Sequence, residues 1–146
     1  MTLGSQHFLK GDYVKAREAL ERALGYREDP ATRLLLAKAL YGLGLYRESL
    51  AHAVPLYGRV PDREAAKVIA LGHAGLKEWE AALVYLDKLM AEATEIPVLN
   101  LAAECHLALG RPEKALPLLE RSLALVPGQP AVKALEEQAR KRIEQR

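Results

Sequence analysis

Four points set 33 residues apart divide this chain, and they limit its fold more than any other feature does. Tyr13, Tyr46, Trp79 and Pro112 occupy them, each followed three residues later by a small side chain: Ala16, Ser49, Ala82 or Ala115. Two residues before each point stands a glycine, Gly11, Gly44 or Gly110, replaced by Lys77 in the third segment. A fixed period of this length belongs to supersecondary units stacked side by side, because one such unit cannot bury its apolar face alone. A stack of this kind presents an extended surface to a partner.

Composition decides that the units are helical. Half of the 146 residues are hydrophobic but only 5% are aromatic, so Leu and Ala must supply most of the packing. The Leu/Ala/Glu/Arg bias favours helix, since these side chains lose little freedom there, and no segment alternates β-branched with polar residues. Twenty-one basic and 19 acidic residues are interleaved, which predicts a charge-laced soluble surface and no nucleic-acid footprint. The single cysteine, Cys105, excludes an internal disulfide and fits a reducing compartment. No signal-like opening and no apolar run near 20 residues is present, so neither secretion by a standard signal nor membrane insertion is expected, and the chain reads as cytoplasmic.

The apolar residues recur at three and four along each segment. Val14, Ala16, Ala19, Leu20, Ala23 and Leu24 form one stripe, and Leu34, Leu35, Leu36, Ala39, Leu40 and Leu43 form a broader face suited to packing on two sides. Further helices are expected over about 46–59, 62–75, 78–92, 95–109, 112–125 and 130–145. Gly11 and Asp12 read as a helix end followed by a cap, Pro61-Asp62 as the close of the second segment, Thr94 as the opening of the fourth and Pro112 as a first helical position. Pro55 and Pro117 fall inside expected helices, where each frees a carbonyl one turn earlier. Both helices are expected to stay whole, with a kink near Pro55. Met1 falls inside the first helix, which is then about two turns long without an obvious N-cap and leaves Leu3, Phe8 and Leu9 at an under-covered end.

These residues resemble a known repeat. Gly11-Asp12-Tyr13-x-x-Ala16-x-x-x-Leu20-x-x-Ala23-Leu24 is similar to the second half of a tetratricopeptide repeat, and Gly110-Arg111-Pro112-x-x-Ala115-x-x-x-Leu119-x-x-Ser122-Leu123 repeats it before Pro127. The family's Leu-small pair is matched by Leu3-Gly4, Leu36-Ala37 and Ile69-Ala70, and more poorly by Ala102-Ala103. The period departs from the family's usual 34, the aromatic near the start of the first helix is missing, and Lys77 replaces a turn glycine whose work Gly75 is expected to do. The resemblance implies an all-α fold, a right-handed α-solenoid of stacked antiparallel helix pairs. Residues 1–28, 30–61, 63–94 and 96–127 would be repeats of one domain spanning 1–146, with 129–146 as a C-terminal capping helix.

It also implies where a partner docks. In tetratricopeptide arrays the first helix of each pair lines a concave face, and carrying that face over gives Ser5, Phe8, Leu9, Leu34, Lys38, Tyr41, Lys67, Leu71, Asn100, Glu104 and Leu107. Tyr41 and Phe8 are the best anchors, since aromatics bury large area at small entropic cost. The expected function is therefore a scaffold or adaptor that binds a peptide or helix of another protein. Two other classes stand beside it. Ala102-Ala103-Glu104-Cys105-His106-Leu107 with Leu109-Gly110 is similar to a segment of tetratricopeptide chaperones for secreted translocators, and the exposed first helix suits self-association. No nucleophile elbow and no phosphate-binding glycine loop occurs, so no enzyme and no cofactor is expected. His7, His73 and His106 share one repeat position, but repeats stand about 10 Å apart, too far for one metal; the histidines read as packing residues with one hydrogen bond each.

Overall fold

A computed structural model describes residues 2–59 and 62–146. Every regular element among them is helical: α1 Leu3–Leu9, α2 Tyr13–Tyr26, α3 Pro30–Gly42, α4 Tyr46–Ala53 followed by one 3-10 turn Val54–Leu56, α5 Asp62–Gly75, α6 Trp79–Glu92, α7 Ile96–Ala108, α8 Pro112–Leu125 and α9 Pro130–Glu144. They gather into two compact units, residues 1–77 and 78–146, divided at the turn inside the third repeat. Within each unit consecutive helices pack on one another as the stacked pairs of an α-solenoid. None of the described helices is long and apolar enough to cross a membrane.

In the first unit each turn aromatic fits against the next pair. A Cβ added to Gly42 would stand 2.6 Å from the Tyr13 ring, and one added to Gly75 would stand 2.6 Å from the Tyr46 ring. The repeat thus interlocks through a ring and an absent side chain, one period apart. Beneath the rings the small residues Ala16 and Ser49 are fully buried, which lets helices approach closely, and Ser49 Oγ donates to the Ala37 carbonyl at 2.7 Å. The core of α2 and α3 is Ala16, Leu20, Leu36, Ala39 and Leu40, with Val14 left exposed outside the expected stripe. In the second unit Ala103, Leu107, Ala115, Leu119, Val132 and Ala139 join α7, α8 and α9 in one cluster.

Local chemistry corrects several expectations. The α-helix expected over 46–59 ends at Ala53, because Pro55 has no N–H and the chain tightens into a 3-10 turn instead of kinking. Pro117 does remain inside α8. The first helix has a cap after all: Thr2 Oγ1 accepts the Ser5 N–H at 3.2 Å. Asp12 caps α2 as expected, while Asp29 supplies an unforeseen cap for α3. Thr94 does not open α7, which starts at Ile96; its hydroxyl accepts from Arg121 instead. Lys77 itself takes the left-handed turn conformation (φ 62°) that Gly11, Gly44 and Gly110 take elsewhere, so Gly75 is a slot for Tyr46, not a substitute turn glycine. Val60 and Pro61, with the closing role expected of Pro61, lie outside the described residues, as does Met1.

Candidate functional site

Within the first unit α3 touches both α1 and α5, so residues spaced three and four apart along these first helices share one face. That face holds a pocket of about 320 Å³. Phe8, Tyr41, Leu71 and Val68 supply apolar walls, backed by Tyr13, and Lys38, Glu64 and Lys67 carry the charge. The walls are held by their own sequence logic: Phe8 packs on Tyr13 with ring centroids 5.6 Å apart, and Tyr41 packs on Tyr46 one period later at 5.5 Å. Rings fixed in this way lose little freedom when a guest arrives.

Two ammonium groups share one carboxylate at the rim. Glu64 Oε2 lies 3.4 Å from Lys38 Nζ across from α3, and Glu64 Oε1 lies 3.4 Å from Lys67 Nζ one turn along α5. All three side chains remain partly exposed, and half-exposed pairs of this length are worth only about 0–1 kcal/mol. Such contacts exchange readily for those of an incoming carboxylate.

Of the eleven groove residues anticipated from the sequence, Phe8, Lys38, Tyr41, Lys67 and Leu71 meet around this pocket, and Ser5 and Leu9 of α1 do not line it. Leu34 is only 8% exposed and supports the face from below. The other three lie on α7 in the second unit and do not line the pocket. Leu107 is 5% exposed in the cluster with α9, and its carbonyl accepts from Arg142 at 3.0 Å. Asn100 is absorbed into a polar network, accepting from Ser122 Oγ at 2.6 Å and donating to Gln129 Oε1 at 3.1 Å. Glu104 faces solvent, with partial desolvation raising its carboxyl above the ordinary range.

Sequence reasoning passed over Glu64, although its place three residues before Lys67 put both on one helical face. His106 Nδ1 is buried and makes no hydrogen bond, and burial lowers its pKa. Cys105 is fully buried, and loss of solvent pushes its thiol up to about 11. Among the described residues no three His, Cys, Asp or Glu side chains converge as a metal site would need.

Comparison with known proteins agrees with this architecture. Residues 74–139 match a family model described as tetratricopeptide repeat. Among solved structures, MamA of MSR-1 superimposes with a TM-score of 0.82 at 22% identity, over 97% of this chain and 83% of that one. A chain of the APC/C hetero-tetramer Cut9–Hcn1 gives 0.84 at 22% identity, over 94% of this chain but 28% of its own length. A thermophilic TPR protein of Thermus thermophilus gives 0.66 at 24% identity, over 94% of this chain and 77% of its own. No curated protein matches at the level of sequence.

Proposed function

Starting from its match to a tetratricopeptide-repeat model over residues 74–139, we propose that this chain is a protein-binding module, holding a peptide or helix of another protein against the α1–α3–α5 face. The observation that carries this reading is the pocket itself: a preformed apolar hollow with two lysines and one glutamate at its edge. Its chemistry suits an apolar side chain flanked by an acidic residue, the apolar group filling the hollow and the carboxylate displacing Glu64 from a lysine. Binding requires ordering the guest alone, because the rings and helices are already in place. Asn100, Glu104 and Leu107 contribute less in this reading, two of them being committed to internal contacts.

A displayed library of random peptides, panned on the immobilised chain, tests this. Recovered peptides should share an apolar residue beside an acidic one, and Leu71→Asp should lose them while keeping its helical circular dichroism. Recovery of no consensus, or equal capture by Leu71→Asp, overturns the assignment.

A further inference from the structure

Three charged residues of the α1–α3–α5 pocket depart from the repeat, and they depart from it at one spot. The positions equivalent to Glu64 hold Ala31, Pro97 and Pro130, so stacking needs no acid there. Those equivalent to Lys38 hold Ser5, Leu71 and Glu104, and those equivalent to Lys67 hold Leu34 and Asn100. Yet Glu64 Oε2 faces Lys38 Nζ and its Oε1 faces Lys67 Nζ, beside the hollow walled by Phe8, Tyr41 and Leu71. The acid and both bases are additions to the scaffold that meet at a single pocket.

The geometry is that of a loosely held carboxylate. At 3.4 Å, both contacts are longer than the strong ammonium–carboxylate hydrogen bond of about 2.7–2.9 Å. Glu64, Lys38 and Lys67 keep 44%, 34% and 30% of their side-chain exposure, and pairs this open add little to folding. Among the described residues Lys38 has no ion-pair partner besides Glu64. A guest that offers Lys38 a carboxylate therefore meets one already there. It must displace Glu64 or lie close to it against like-charge repulsion. An uncharged guest in the same hollow meets neither obstacle.

We propose that Glu64 is a resident competitor, standing where a guest carboxylate would stand and setting how strongly the pocket favours acidic guests over neutral ones. The inference rests on the pocket being the docking site. With Glu64 in place, the guest exchanges one open ion pair for another, and its charge contributes a modest preference. Without Glu64, Lys38 faces the guest unopposed and the preference grows. The native acid thereby weakens capture and hastens release.

Hydrocinnamate and its amide, two small probes that share one apolar group, test this when titrated at millimolar concentration into the isotope-labelled chain and followed by NMR. Both should shift amide signals around Tyr41 and Leu71. In Glu64→Gln, which keeps the shape of the side chain, the carboxylate-to-amide ratio of affinities should rise roughly three- to tenfold. Adding Lys38→Met to Glu64→Gln should take back most of that rise. A glutamate that served only the first turn of α5 would move both probes alike and leave the ratio where it was. An unchanged ratio in Glu64→Gln, or a rise that survives Lys38→Met in full, overturns the proposal and leaves the pocket reading intact. Failure of both probes to bind the wild-type chain, or their equal binding to Leu71→Asp, overturns the pocket reading and this inference with it.

Discussion

Gly75 and Lys77 stand two residues apart and reverse the usual rule for their types. A glycine within a helix ordinarily costs up to about 1 kcal/mol relative to alanine, yet a Cβ on Gly75 would enter the Tyr46 ring. Gly75→Ala should therefore destabilise, by about 1–3 kcal/mol as for other overpacked sites. Lysine at φ 62° is strained by roughly 1–2 kcal/mol, and Lys77→Gly relieves that strain against a smaller entropic loss. Thermal unfolding should show the lysine variant rising by a few degrees and the glycine variant falling. Equal shifts in one direction would contradict the packing described. Neither residue's role was legible from the period, which marked both positions but could not tell a slot from a turn.

Between elements, the tie that joins α3 to α4 is titratable. Arg33 forks Glu28 with two hydrogen bonds of 2.6 Å and donates its remaining nitrogen to His52 Nδ1 at 2.6 Å. The imidazole must be neutral at Nδ1 to accept it. Burial, and then the Arg33 charge, depress the His52 pKa, with Glu21, Glu48 and Glu28 opposing. A depressed folded pKa means that the unfolded chain binds the proton more readily. The contribution of His52 to stability is thus fully present above the unperturbed value near 6.5 and lost as pH falls toward the folded one. Tm should drop on acidification through this window. His52→Asn, which keeps an acceptor but cannot titrate, should flatten part of the drop, leaving the same-signed share of His106. An unaltered pH profile for His52→Asn would remove the role assigned to this contact. The early end of α4 belongs to this scale too, because a proline's missing N–H is visible in sequence but the competing 3-10 hydrogen bond is not.

At the scale of the whole molecule, the helices, their order and most turns were readable from four marked points and an apolar rhythm, because neighbour-on-neighbour packing depends on local spacing. Five of the residues placed on the face of the first helices line one pocket. What the spacing could not convey was which positions of that face are covered. Leu107 lies in the α9 cluster and Asn100 answers Ser122 and Gln129, contacts that depend on how the last helix docks. Cys105 reports on that second unit as a body. With its thiol sealed and held near 11, it should react with a disulfide reagent only through opening of the α7–α8–α9 core. Modification should be negligible in native buffer and rapid in denaturant. Fast native labelling would show the core to be looser than its packing implies.

The ring-and-slot joints also bear on how such a chain can change length. Tyr13 meets Gly42 and Tyr46 meets Gly75 in the same way, so a tandem copy of 33 residues spliced at this phase would arrive with both halves of the joint already matched. Growth by duplication at this phase then asks for no newly invented contact at the joint.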